Sequence, residues 1–138
     1  MFDLSWFSSP HDEAQLRKLD EAIGGLTGKA VAAAEFNQLL GVFERFPDDD
    51  GYGVFWSIVH CLEAFDGYEP LLVKSVNRKP VEFNVLMVNR LLNAGVLEVD
   101  NQSLMALLKS VATSSEARPE VRKSAARLLE YQKGHGRE

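Results

Sequence analysis

Three side chains that can take part in catalysis or bind a metal lie close together, at His60, Cys61 and Glu63. A cysteine nucleophile needs a histidine that points at it, and adjacent helical residues do not face each other. His60 and Glu63 are one helical turn apart, but a zinc site takes three or four protein ligands and no second histidine pairs with them in sequence. We therefore predict no metal site and interpret Cys61 as a small buried apolar side chain. An enzyme that uses His60 with Glu63 is our third hypothesis, and it requires both side chains to converge in a pocket.

The glycine-rich segment GGLTGK, residues 24–29, lacks the spacing of a phosphate-binding loop. Such a loop has a glycine five positions before its Gly-Lys pair and a serine or threonine after the lysine. This chain has Ile23 and Ala30 at those two positions. The segment is therefore predicted to be a turn between two helices.

The most acidic segment is a run of three aspartates, Asp48, Asp49 and Asp50, followed by Gly-Tyr-Gly. One interpretation is a solvated turn whose last aspartate caps a helix. A calcium loop does not fit, because it needs ligands at alternate positions and a closing glutamate. A further interpretation is a surface that binds another protein. Tyr52 and Trp56 follow at helical spacing, and aromatic residues flanked by charge are typical of interface hot spots.

Further acidic residues extend this charge on both sides of the run. Glu44 precedes it, and Glu63, Asp66 and Glu69 follow it. Together they predict an acidic strip along one edge of the middle helices. Such a strip speeds the encounter with a basic partner and favours the correct orientation.

The charge of the chain is divided unevenly between its halves. The formal net charge is −5; residues 1–70 contribute −9 and residues 71–138 contribute +4. An acidic half suits a basic partner and argues against nucleic acid, whose phosphates it would repel. We predict a protein partner and no nucleic acid.

The pattern of caps, breakers and apolar spacing predicts an all-α fold of about seven short helices. The connections are tight, which favours antiparallel pairs arranged as a HEAT-like α-solenoid or an irregular bundle. Residues 119–129 resemble one helix of a HEAT repeat. The predicted helices span about 10–23, 27 or 28 to 46, 53–65, 69–77, 81–94, a sixth capped by Asp100 or Asn101, and 119–132.

We expect one domain over residues 1–138, with a frayed polar tail at about 133–138. Residues 96–99 are the one strand-like stretch, which we expect to be too short to build a sheet. The first helix is predicted to begin at Pro10 with Ser9 as its cap. Phe36, Leu39 and Phe43 should lie on a buried face of the second helix, because they recur at three- and four-residue steps.

Sequence features also predict the compartment. Cys61 is the only cysteine, so no internal disulfide can form, which fits a reducing environment. No apolar stretch approaches the roughly 20 residues needed to span a bilayer, and the first residues lack the pattern of a signal peptide. We expect a soluble cytoplasmic protein with no membrane partner and no cofactor.

The middle of the chain resembles helical, HEAT-like immunity proteins of bacterial polymorphic toxin systems, including the partners of contact-dependent growth inhibition toxins. The resemblance covers about residues 46–95 and begins with FPDDDGYGVFWSIVH at 46–60. It continues through LE at 62–63, GYEPLL at 67–72, SV at 75–76, KP at 79–80, EF at 82–83 and NRLLNAG at 89–95.

This resemblance implies a small cytoplasmic protein, not an enzyme, that binds a cognate toxin domain and blocks it. Many such toxins are nucleases with basic substrate sites, which an acidic inhibitor can cover. The predicted contact set comprises Asp48, Asp49, Asp50, Tyr52, Trp56, Glu63, Asp66 and Glu69. The alternative is a HEAT-like adaptor in a larger assembly without a toxin partner. Neither hypothesis fixes the oligomeric state.

Overall fold

A computed structural model describes residues 2–26 and 31–137, and within these ranges the fold is all-α, as predicted. The only sheet in these ranges is a hairpin of two-residue strands, β1 (Glu98–Val99) and β2 (Gln102–Ser103). The helices are α1 (Glu13–Gly24), α2 (Ala33–Arg45), α3 (Phe55–Glu63), α4 (Glu69–Arg78), α5 (Glu82–Asn93), α6 (Leu104–Ala112) and α7 (Pro119–Gly134).

The chain forms two compact units, with the boundary after Leu71 inside α4. The charge division follows this boundary, because residue 71 is uncharged: unit 1 carries −9 and unit 2 carries +4. The single-domain expectation stays a prediction.

In unit 1, α3 packs against both α1 and α2. The predicted apolar face of α2 is buried, including Phe36, Leu39 and Phe43. Phe7 and Phe55 are also fully buried, with ring centroids 6.3 Å apart. Aromatic packing of this kind fixes the position of α3, whose opposite face carries Trp56.

The segment before α1 is ordered by side-chain hydrogen bonds although it is not helical. Arg45 donates from Nη1 to the carbonyl of Phe7 at 2.8 Å and from Nη2 to that of Leu4 at 3.0 Å. Gln15 Oε1 accepts from the backbone N–H of Ser8 at 2.7 Å. These bonds hold the segment that carries His11.

Unit 2 is built mainly on contacts of α7 with α5 and α6. Asn84, which is fully buried, organises the connection between α4 and α5. Its Oδ1 accepts from the backbone N–H of Val81 at 2.8 Å, and its Nδ2 donates to Ser75 Oγ at 3.0 Å and to the Lys79 carbonyl at 2.9 Å. The side chain thus satisfies backbone groups at the start of α5 that would otherwise lack partners.

Two predicted helix starts are wrong. The first helix begins at Glu13, because Asp12 caps it by accepting from the backbone N–H of Gln15 at 3.1 Å; Ser9 and Pro10 precede it. The sixth begins at Leu104 with Ser103 as its cap. The predicted start of the second helix, at Thr27 or Gly28, lies outside the described residues, as does much of the glycine-rich segment 24–29.

Asp100 and Asn101 form the turn of the hairpin instead of a helix cap. Both have positive φ, 48° and 65°, as a two-residue turn between antiparallel strands requires. The expectation that residues 96–99 build no sheet is therefore wrong for Glu98 and Val99. At the C-terminal end, α7 extends to Gly134, into the stretch expected to fray.

Candidate protein-binding surface

The aspartate run forms a tight turn that leads into α3. Asp49 Oδ1 accepts from the Gly51 N–H at 2.8 Å, and Asp50 Oδ1 accepts from the Tyr52 N–H at 3.1 Å. Asp50 caps a short 3₁₀ turn, Gly51–Gly53, and its carbonyl also accepts from the Phe55 N–H at 3.2 Å. The last aspartate therefore caps this 3₁₀ turn and not α3 itself, whose N-terminal cap is Val54.

Three consecutive residues of this turn have left-handed backbone, at φ values of 57° for Gly51, 51° for Tyr52 and 91° for Gly53. Gly51 is buried, and a Cβ there would lie 2.8 Å from the Phe55 ring and 3.1 Å from Leu16. Only glycine fits at position 51, because any other side chain would clash with Phe55 and Leu16 and would have to adopt an unfavourable positive φ.

Tyr52 is held in left-handed backbone although it is not glycine, and its side chain is 70% exposed. A non-glycine residue in this region costs roughly 1–2 kcal/mol. The exposed ring gains little of the burial that stabilises an apolar side chain. Residues in such sparsely populated backbone regions cluster at functional sites, which makes Tyr52 a candidate for one.

His11 joins the aspartate run to the tyrosine. Its Nε2 lies 2.7 Å from Asp49 Oδ2, and its Nδ1 lies 3.4 Å from the Tyr52 hydroxyl oxygen. The two rings pack edge to face, with centroids 5.7 Å apart. His11 supports the tyrosine ring through this contact. Most of the ring stays accessible, because Tyr52 is 70% exposed and His11 itself is 64% exposed.

Trp56 lies on the exposed face of α3, with 37% of its surface accessible. Phe55, Ile58, Val59 and Leu62 form the opposite, buried face. His60 follows Trp56 by four residues, and the two ring centroids are 6.1 Å apart. Tyr52 belongs to the turn before α3, so the helical spacing assumed between Tyr52 and Trp56 is wrong.

The other predicted contact residues lie at either end of α3. Asp48 and Asp50 are exposed before it; Glu63 is half-buried at its last turn; Asp66 is exposed in the following turn; Glu69 is half-buried at the start of α4. Trp56 and Glu63 share one face, because seven residues make nearly two turns. His11 contacts both Asp49 and Tyr52 and so brings these two residues together. The acidic strip along the middle helices stays a prediction.

The residues first considered for catalysis lie on α3. His60 is exposed, and Cys61, which was predicted to be buried, is half-buried. Burial raises the pKa of the Cys61 thiol, which disfavours the reactive thiolate. Across residues 2–26 and 31–137, His, Cys, Asp and Glu form no cluster of three or more that could hold a metal ion.

Sequence reasoning missed His11 and the steric role of Gly51. His11 precedes α1, and no local pattern connects it to a turn that follows α2. The Gly-Tyr-Gly spacing was the available signal for left-handed backbone, since glycine is the usual residue where φ is positive.

Within residues 2–26 and 31–137, every helix is either too short or too polar to cross a bilayer. Comparisons with models of protein families, with curated proteins and with solved structures found no match.

Proposed function

We propose that the protein binds a basic protein through the surface formed by Asp48, Asp50, Tyr52 and Trp56, and that this partner is a toxin domain which it neutralises. We call these four residues the acidic-aromatic surface. Glu63, Asp66 and Glu69 extend it along α3 and into α4. Asp49 orders the turn that carries it, through its contacts with Gly51 and His11. The surface belongs wholly to unit 1.

The observation that carries the proposal is the strained, exposed Tyr52. Its backbone is fixed by Gly51 and by the Asp50 cap, and its ring is supported by His11. An aromatic side chain that is already ordered loses little conformational entropy on binding. Tyrosine and tryptophan are also enriched among the residues that dominate binding energy.

Charge supports a basic partner. Unit 1 carries a net charge of −9, and the exposed Asp48 and Asp50 precede Tyr52 in the same turn. A field of this sign accelerates association with a positively charged surface and discriminates against acidic ones. Residues 46–95 resemble immunity proteins, and many of the toxins that such proteins block are nucleases with basic substrate sites. The negative charge of unit 1 is complementary to such a site.

The test is to search the genes beside this protein's own for a toxin domain and to co-express the two. We expect growth rescue, a one-to-one complex and nanomolar affinity by calorimetry. A Tyr52→Ala, Trp56→Ala double variant should abolish rescue while its circular dichroism stays unchanged. Tyr131→Ala, a single substitution of an exposed aromatic residue of unit 2, is the control and should leave rescue intact.

Rescue that survives the double variant would reject the acidic-aromatic surface. Absence of any complex with the neighbouring toxin domain would reject the immunity role and favour the adaptor alternative. We propose a cytoplasmic location on the same basis, since an immunity protein must meet its toxin inside the cell.

A further inference from the structure

A cavity of about 320 Å³ opens on unit 2, between the α4–α5 connection, the C-terminal part of α6 and the loop that leads into α7. Its charged lining comprises Arg78, Lys79 and Arg118, with Glu116 as the one acidic side chain among them. The lining therefore carries a formal charge of two positive. The lining also includes apolar residues, Val76, Pro80, Val81, Leu107 and Val111.

The walls of this cavity are held in place by hydrogen bonds that are independent of any ligand. Asn84 binds the Lys79 carbonyl, which fixes the α4–α5 connection. Arg122 donates from Nη1 to the carbonyls of Ser114 and Ala117, which fixes the loop before α7. A cavity whose two charged walls are each fixed by a separate side chain is largely pre-formed, as ligand sites usually are.

We infer that this cavity binds the phosphate group of a small, non-aromatic phosphomonoester. A phosphomonoester carries a charge of about −1.5 to −2 at neutral pH, which matches the lining. Arginine presents several donors in a planar fork that suits phosphate oxygens, and lysine adds a point charge. None of the described residues that line the cavity is aromatic, so nothing there would stack on a nucleobase.

Two sources can supply this group: a free metabolite, or a phosphoserine on another protein. The apolar residues of the lining would contact the short carbon skeleton of either ligand. The proposal concerns unit 2 alone and does not depend on the acidic-aromatic surface of unit 1, so each can fail without the other.

The experiment titrates the full, ¹⁵N-labelled chain with sn-glycerol 3-phosphate and, separately, with a short neutral peptide that contains one phosphoserine. Glycerol and the unphosphorylated peptide are the uncharged controls. We expect saturable shifts of the backbone resonances of residues 76–81 and 114–118 with at least one phosphate probe. The probe that saturates at lower concentration identifies the source.

Variants test the assignment in both directions. Lys79→Gln or Arg118→Gln should weaken binding about tenfold, because each removes a charge-assisted contact. Glu116→Gln should strengthen it several-fold, because it removes the one carboxylate that repels the ligand. Lys109→Gln, on an exposed face of α6 outside the cavity, is the matched control and should change nothing.

Saturation by neither phosphate probe in the millimolar range would overturn the inference. So would binding that Lys79→Gln and Arg118→Gln both leave unchanged, or that Glu116→Gln weakens. Circular dichroism of each variant verifies that the fold is retained.

Discussion

The imidazole Nε2 of His11 lies 2.7 Å from the Oδ2 atom of Asp49, and the other carboxylate oxygen accepts from the backbone of Gly51. Asp49 is thus bound on both sides and only 18% exposed, whereas Asp48 and Asp50 on either side of it are exposed. Asp49 and Asp50 thus both order the turn, through the Gly51 and Tyr52 N–H groups, and we expect the exposed carboxylates of Asp48 and Asp50 to face the proposed partner.

Reversing one charge should show this division of roles. Asp48→Lys should slow association with a basic partner severalfold and flatten its dependence on salt, because it weakens the attractive field. Stopped-flow or surface-plasmon kinetics at two salt concentrations measures both effects. Glu130→Lys makes the same change of net charge in unit 2 and should leave the association rate nearly unchanged. Equal slowing by both variants would show that net charge acts, and not the acidic-aromatic surface.

Asp49→Lys is a poorer test of the same idea. It removes the carboxylate that holds the Gly51 N–H and that lies 2.7 Å from His11 Nε2, and it places a lysine ammonium there instead. It should lower the free energy of unfolding by about 1–2 kcal/mol as well as slowing association. Urea denaturation separates these two effects, since it measures the free energy of unfolding independently of association.

Trp56 should contribute binding energy through contact area rather than charge. Trp56→Ala is expected to weaken the complex by on the order of 2 kcal/mol or more, mainly through faster dissociation. Because only 37% of its surface is accessible, the substitution should also lower the free energy of unfolding. Calorimetry of the complex and thermal unfolding of the free protein measure the two quantities. An unchanged affinity in a variant that retains its fold would exclude Trp56 from the contact.

The all-α fold could be predicted because it depends on signals that are local in sequence. Pro47, Asp66-Gly67 and Pro119 mark helix ends, and the apolar face of α2 follows the helical period. The hairpin was missed because Asp100 and Asn101 are equally suitable as helix caps and as turn residues. The contact of His11 with Asp49 was missed because it depends on how the segment before α1 packs, which Arg45 and Gln15 decide.

Cys61 gives a prediction on pH. Because burial raises the pKa of its thiol, the folded protein should react with iodoacetamide more slowly at about pH 8 than the urea-unfolded protein does. Below the ordinary pKa of a thiol both states are protonated and the folded state incurs no penalty. As the pH rises through the raised pKa, the unfolded state ionises first and stability falls. Cys61→Ser should remove this component of the pH dependence; an equally reactive folded thiol would contradict it.

Gly51 should be the least replaceable residue of the turn that leads into α3. Gly51→Ala places a Cβ 2.8 Å from the buried Phe55 ring and also imposes an unfavourable φ, so it should cost about 3 kcal/mol of unfolding free energy. Gly53→Ala is the matched control: its φ is also positive, at 91°, but no atom lies within 4 Å of the added Cβ. It should cost about 1–2 kcal/mol from the backbone alone.

Urea denaturation of both variants, with the partner's affinity measured beside it, tests whether the turn positions Tyr52. If Phe55 must move to admit the new methyl group, α3 shifts with it and Gly51→Ala should weaken binding more than Gly53→Ala does. Equal costs in stability and equal affinities would mean that the turn tolerates a side chain at either glycine. The left-handed backbone of Tyr52 would then no longer indicate a fixed binding geometry.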